Sequence, residues 1–285
     1  MSYELVIIGA GITGLTAANK AQELGINNVL IVDYEKQKGG FGSTIFDRED
    51  FLKEKEIVSQ ADKLPYEFWY QATVVGFFEG ENGENHQISI QTPNGSQDIE
   101  AKKVIFSSGS MEKPREGNKI PGSRPAGVMT SLMALELLDR GYLPGKDMVI
   151  IENSKIAKAV ADLSKENGAD VNSIKSEFAK IKNIKGNSRV TGVEIENTED
   201  GEIYNIPCDT FIYSEGTIPC TFYLKGSMVD LDEHLFIKVD EDGKTNIPNV
   251  IAIGSCANKA DQFDVFSTKT SEIIENFLTR QNVGG

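Results

Sequence analysis

The stretch "LVIIGAGITGLT", Leu5 to Thr16, limits the fold more than any other part of the chain. A short apolar run ends in glycines spaced G-x-G-x-x-G. A helical pattern follows, with Leu15, Ala18, Ala21 and Leu24 on one side and Gly25 as its stop. The next run, "NNVLIVDYE", is rich in β-formers and ends in acid. Together they make a β-α-β unit of about thirty residues. Gly9 allows the tight turn after the strand, Gly11 lets backbone approach a pyrophosphate, and Gly14 lets helix and strand pack closely. The N–H groups at the helix start, around Ile12 and Thr13, would hold the phosphates with the helix dipole behind them. Asp33, at the end of the second strand, would accept hydrogen bonds from ribose hydroxyls. A lone glycine turn of this kind can be purely structural. The strand before it, the helix after it and the acid beyond it favour a dinucleotide site.

A second strand-turn-helix occurs in "KDMVIIENSKIAKAVADLSKENGADV". Ile156, Ala159, Val160 and Leu163 give its helix a buried stripe, but the turn has lost its glycines. Their positions are taken by Glu152, Ser154 and Ala157. Glu152 sets a side chain and a negative charge where phosphate needs bare backbone. Only about fifteen residues follow before "RVTGVEIEN", so this unit is expected to be shortened.

Residues 49–62 read as a charged amphipathic helix with Phe51, Leu52, Val58 and Ala61 inward. Three strands are expected next: "FWYQATVVGFFE", "HQISIQT" and "QDIEAKKVIFSSG", the last two joined by the hairpin turn "PNGS". The arrangement returns as "RVTGVEIEN", "TEDG" and "EIYNIPCDTFIYSEG", and "VIFSSGS" echoes "FIYSEGT". A Pro/Gly-rich segment, "KPREGNKIPGSRPAG", separates the two units. "TNIPNVIAIGSCAN" and a helix carrying Ile273, Ile274 and Phe277 close the chain.

The stretches "VIFSSGSMEKPR", "IPGSRPAGVMTSLMALELL", "GYLPGKDMVII", "CDTFIYSEGTIP" and "TNIPNVIAIGSCAN" resemble the two-dinucleotide flavoprotein family that includes thioredoxin reductase. Within it, they are most similar to oxidoreductases allied to the sarcosine oxidase α subunit and to proteins associated with glycerol-3-phosphate dehydrogenase. The resemblance implies an α/β fold. A Rossmann-like FAD-binding domain, residues 1–118 and 240–285, would carry an inserted, shortened second Rossmann-like domain, residues 125–235, each with a β-meander.

The resemblance also assigns cofactor-binding positions. Gly9, Gly11, Ile12, Thr13, Gly14, Asp33 and Gly40 match the FAD diphosphate and ribose site, and Ser108 and Gly109 the strand end passing the cofactor. Gly254 and Ser255 match a Gly-Asp pair whose acid usually bonds the ribityl chain, so Ser255 is a departure. Val265 and Phe266 match positions facing the flavin, where a helix N-terminus would stabilise negative charge on the reduced ring. The family's redox-active CxxC is absent, and no catalytic acid, base or nucleophile is assignable. Tyr34, Asp47, Arg48, Trp69 and His234 read as structural or surface residues.

Charge narrows the partners. With 29 basic and 43 acidic residues, a net charge of −14 argues against nucleic acid and anionic membranes. No apolar run reaches the ~20 residues of a membrane span, and the N-terminus carries no signal segment, so a cytoplasmic protein is expected. Cys208, Cys220 and Cys256 are too widely spaced for a zinc or disulfide framework, and no metal site is expected. The expected function is an FAD-binding oxidoreductase or electron-transfer flavoprotein that does not use NAD(P)H directly. It would exchange electrons with a ferredoxin-like carrier or a small substrate, and the family's habit implies a homodimer. The alternatives are a non-catalytic FAD-binding subunit of a redox complex and an interaction module without flavin.

Overall fold

In a computed structural model, which describes residues 1–81, 84–259 and 264–279, the apolar run before the first glycines is strand β1 (Ser2–Ile8). The pattern after them is helix α1 (Ile12–Glu23). Gly25 follows it at φ +73°, a left-handed residue just past the last turn, as helix ends favour. Strand β2 (Val29–Val32) lies parallel to β1, from Leu5 opposite Val29 to Ile8 opposite Val32. All four β2 residues are buried, which is the signature of a parallel strand covered on both faces.

The sheet runs β3 (Glu67–Trp69), β2, β1, β6 (Gly95–Phe106), β5 (His86–Thr92) and β4 (Thr73–Phe78). Strand β6 does two jobs. Its first half pairs antiparallel with β5. Its second half pairs parallel with β1 and with β14 (Val250–Ala252), closing the Rossmann-like layer. The run "FWYQATVVGFFE", expected as one strand, is two. Gln71 breaks it at φ +51°, donating its N–H to Glu35 O, so that β3 pairs with β2 at one end of the sheet and β4 with β5 at the other. The helix expected over 49–62 begins as a 3-10 turn, Glu49–Phe51, and continues as α2 (Leu52–Ala61). Phe51 and Ala61 are buried but Leu52 is 56% exposed, so Leu52 does not belong to the inward face.

The chain separates into Met1–Met111 with Ile218–Gly285, and Glu112–Thr217. The return to the first unit comes well before the expected 240. Leu224, Val229, Ile237 and Val239 explain the difference, because all four are buried in the first unit's core.

The second unit has a parallel sheet in the order β9 (Asp170–Lys175), β8 (Asp147–Glu152), β13 (Thr210–Ile212), β7 (Val128–Met129). Helices α3 (Ser131–Asp139) and α4 (Lys155–Glu166) accompany it. A separate antiparallel meander contains β10 (Ala179–Gly186), β11 (Val190–Asn197) and β12 (Ile203–Pro207). Strand β10 lies in the short gap that showed no strand pattern. A bulge between Ile181 and Asn183 breaks its two-residue alternation, which hid it. Among the described residues no helix is long and apolar enough to cross a membrane.

Candidate functional site

In the first turn, two glycines are held by packing and one is not. A methyl group on Gly9, at φ +109°, would sit 2.3 Å from Ser107 O, and one on Gly14 would sit 1.8 Å from Gly9 O. Gly11, at φ −71°, is different: a methyl group there would meet no atom within 4 Å. It is the N-cap of α1, its carbonyl accepts from Leu15 N at 2.9 Å, and it brings no side chain to the helix's first N–H groups. No side chain caps those donors, which lie at the positive end of the helix dipole, an arrangement that suits an anion.

Ala10, between the first two glycines, ties two further segments to the turn. Its N–H donates to Asp33 Oδ2, and its carbonyl accepts from Gly39 N at 2.8 Å. Glu35 N donates to Asp33 Oδ1 at 2.8 Å. Burial raises the Asp33 carboxyl above the ordinary carboxylate range, and these two N–H donors pull against that rise. Gly40 closes in at φ +71°, where a methyl group would lie 3.4 Å from Gly11 Cα. The next side chains on each segment are aromatic. Tyr34 is 49% and Phe41 40% exposed, with ring centroids 6.1 Å apart and planes at 58°. Partial burial, followed by the neighbouring Glu35 and Asp33 carboxylates, pushes the Tyr34 phenol well above its ordinary value, so it stays protonated.

The strand ends supply the rest. Ser107 Oγ donates to Ile8 O and Gly9 O, pinning β6 to the turn. Ser108 Oγ lies 3.2 Å from Tyr223 OH. Gly254, at φ +78°, packs on Thr13: a methyl group there would be 2.8 Å from the Thr13 hydroxyl. Ser255 is exposed, and its hydroxyl lies 3.8 Å from where a Gly109 methyl would be. Thus the turn from Gly9 to Gly14, with Ile12 and Thr13, gathers Asp33, Gly40 and Gly254 directly. Ser108, Gly109 and Ser255 line the adjoining strand ends.

Val265 is half-buried, and Phe266 is held by other contacts. Asp264 Oδ1 accepts from Phe266 N at 3.0 Å, and Lys53 Nζ sits 5.3 Å above the Phe266 ring. Helix α5 (Thr268–Thr279) starts just beyond, and Ser267 Oγ takes its Thr270 N–H at 3.2 Å. One donor of the helix start expected to face the flavin is therefore already used.

The sequence alone does not bring Cys220 or Tyr223 to this site. Cys220 N donates to Gly109 O at 2.9 Å, and burial followed by the Asp33 charge raises its thiol. Tyr223 is buried, which holds its phenol far above its ordinary value. Both follow Pro219 in a segment far from the glycine turn in sequence, so no local pattern links them to it. Tyr34, read as structural or surface, sits directly after the acid at the β2 end. That adjacency was the available signal.

The second turn is filled from within. Glu152 ends β8, and among the described residues the non-glycine positions at positive φ are Gln71, Lys119, Leu235 and Asn249, so Glu152 does not copy the turn of Gly9. Ser154 is the N-cap of α4. Its carbonyl accepts from Lys158 N and its hydroxyl from Ala157 N, both at 3.1 Å. The Asn153 amide donates to Ser214 O. Beside it, Glu112 Oε2 accepts from Leu132 N at 2.7 Å at the start of α3, and Glu112 Oε1 accepts the Ser214 hydroxyl. Side chains of the unit itself occupy donors at both helix starts.

The residues of the first turn fit an FAD diphosphate: bare backbone at Gly11, an uncapped helix start, and a carboxylate at the neighbouring strand end. Comparison with known proteins agrees with this architecture. The model of the pyridine nucleotide-disulphide oxidoreductase family matches residues 3–177 and 147–275. The chain is 25% identical to an NADH dehydrogenase of Ferdinandcohnia aciditolerans, over 90% of this chain and 53% of that protein. It is 24% identical to a thioredoxin reductase of Spironucleus barkhanus, over 89% of this chain and 90% of the relative. The chain thus spans about half the first relative's length and most of the second's. Among solved structures, the bacillithiol disulfide reductase of Bacillus cereus superposes with a TM-score of 0.66 at 19% identity, covering 99% of this chain and 100% of that one. This chain belongs to the pyridine nucleotide-disulphide oxidoreductase family, a family of flavoprotein oxidoreductases.

Proposed function

We propose that the chain binds FAD at its first glycine turn and serves as a flavin oxidoreductase or electron-transfer flavoprotein without taking hydride from NAD(P)H itself. One contrast carries the reading: the α1 start at Gly11 is bare, and the α4 start at Ser154 is capped by its own hydroxyl. The N–H groups following Gly11 would hold the pyrophosphate, Asp33 the adenosine ribose, and the Ser255 hydroxyl the ribityl chain. Ser108 and Gly109 border the same space. Bound FAD would supply reversible one- or two-electron transfer, with the protein setting its position and potential.

The reading departs from the name of one relative, NADH dehydrogenase, at the second turn. There Glu152 and Glu112 add negative charge where a nucleotide phosphate would arrive, and local side chains take donors it would need. Disulfide reduction through a CxxC is excluded, because the sequence has none. Electrons would pass to or from a ferredoxin-like carrier or a small substrate at the flavin, in a homodimer. Anaerobic titration of the purified yellow protein with NADH, NADPH and reduced ferredoxin tests this. Rapid bleaching of the flavin band near ~450 nm by ferredoxin, but not by either nucleotide, is expected. A colourless protein that takes up no flavin, or rapid bleaching by NADPH, contradicts it.

A further inference from the structure

We propose that His86 is an acid-sensitive joint in the first unit: when neutral it ties the end of β4 to the segment entering β14, and when protonated it releases β4 and keeps the other tie. The inference is independent of the flavin reading.

His86 opens β5 and is only 3% exposed. Its Nδ1 accepts from Gly80 N at 3.2 Å, just beyond β4, and its Nε2 lies 3.0 Å from Pro248 O, just before β14. A carbonyl can only accept, so Nε2 must carry a hydrogen. An N–H can only donate, so Nδ1 must be bare. The neutral ring with its hydrogen on Nε2 is the one form that satisfies both contacts. Phe77 of β4 packs on the ring, with centroids 5.4 Å apart, and Ala101 of β6 lies opposite. Protonation adds a hydrogen to Nδ1 and sets two donors against each other at Gly80. The bond to Pro248 survives.

The charges around the ring leave room for such a change. Glu79 is the carboxylate that acts on it, and Glu79 Oε2 also accepts from Met228 N at 3.3 Å. Glu79 could then serve the charged ring in place of Met228. On β6, Glu100 and Lys102 flank Ala101 and alternate to the other face of the strand. Lys103 gives its ammonium to Phe277 O and Leu278 O at 3.0 and 2.8 Å. Glu81 and Glu84, on the approach to β5, are exposed, and residues 246–249 carry no charge. Burial holds the ring below its ordinary value, against the pull of the Pro248 bond and of Glu79. The stabilisation from the neutral ring is therefore complete above the unfolded value of 6.5 and is lost as pH falls through the lower folded one.

Native-state amide exchange of the full chain, read by NMR as protection factors between about pH 7 and pH 5, tests the joint alongside the His86 ring nitrogens. The hydrogen is expected on Nε2 at neutral pH. As the ring charges, Gly80 protection should fall at least about ten-fold, while that of Val6 in β1 stays unchanged. His86→Asn leaves His234 as the one remaining histidine, which assigns the ring signals. Its amide oxygen can accept from Gly80 and does not titrate, so Gly80 protection should differ by less than about two-fold across the range. Four results overturn the proposal: a hydrogen on Nδ1 at neutral pH, a ring still neutral at pH 5, a ring that charges while Gly80 stays protected, or the parent's loss of protection persisting in His86→Asn. The first three are read on the parent alone and do not depend on the variant folding.

Discussion

Helix α1 is capped at Gly11 and helix α4 at Ser154, each directly after a strand of its unit's parallel sheet, β1 and β8. Each N-cap carbonyl accepts the first helical bond, from Leu15 N and from Lys158 N. The backbone plan is shared and the filling differs. The first start is left bare, with room for a group that brings its own oxygens. The second is satisfied by a serine hydroxyl, with an asparagine and a glutamate serving the backbone nearby. A Rossmann-like turn thus keeps its scaffold when its glycines go, because strand burial and helix packing do not depend on the ligand. What changes is which atoms satisfy the helix start.

Substitutions can break this comparison, beginning with the largest effect. Gly9→Ala places a methyl 2.3 Å from Ser107 O at a left-handed backbone position, and should cost more than about 3 kcal/mol in urea unfolding. Glu152→Ala, at the matching place in the second turn, should stay within about 0.5 kcal/mol. Similar losses at both would show that the turns carry the same strain.

Gly11→Asp separates folding from binding. Its side chain enters space where a methyl touches nothing, so the flavin-free protein should keep its unfolding midpoint within about 2 °C. FAD affinity, measured by fluorescence titration, should fall at least about 100-fold through exclusion and charge repulsion. Unchanged affinity would place the cofactor elsewhere.

The two units also bury one thiol each, Cys256 in the first and Cys208 in the second, and burial raises both to about 11 from an ordinary value near 9. With the folded value raised, the stabilising contribution is complete below pH 9 and is lost as pH climbs towards 11. The loss should be on the order of 2 kcal/mol per thiol, read from urea midpoints across that window, and each Cys→Ala variant should flatten its share. A flat parent profile would contradict the burial of both. The second cap gives a smaller loss than either thiol: Ser154→Ala should cost about 1 kcal/mol and Ser154→Gly only a few tenths, compared in the same assay.

The first β-α-β unit was legible in the sequence because its signals are local: glycine spacing, helical periodicity, and an acid at a strand end. The loss of the second turn's glycines could be read in the same way. Strand β10 was not, since its bulge shifts the alternation in mid-strand. Nor was the division at Gln71, whose left-handed backbone is stabilised by a bond to Glu35, distant in sequence. At the site, the glycines and Asp33 could be read from pattern. Tyr223 beside Ser108 and Cys220 beside Gly109 could not, because a whole inserted unit separates them along the chain.

The central claim is that one turn accepts a dinucleotide and its copy does not. Equilibrium titration of flavin-free protein with FAD, and separately with NADPH, tests it most directly when run on the parent and Gly11→Asp side by side. The account predicts one FAD per chain, lost in Gly11→Asp, and no saturable NADPH binding up to about 1 mM, a level that corresponds to only ~4 kcal/mol. Saturable NADPH binding that persists in Gly11→Asp would contradict it, because the nucleotide would then be seated at the second turn.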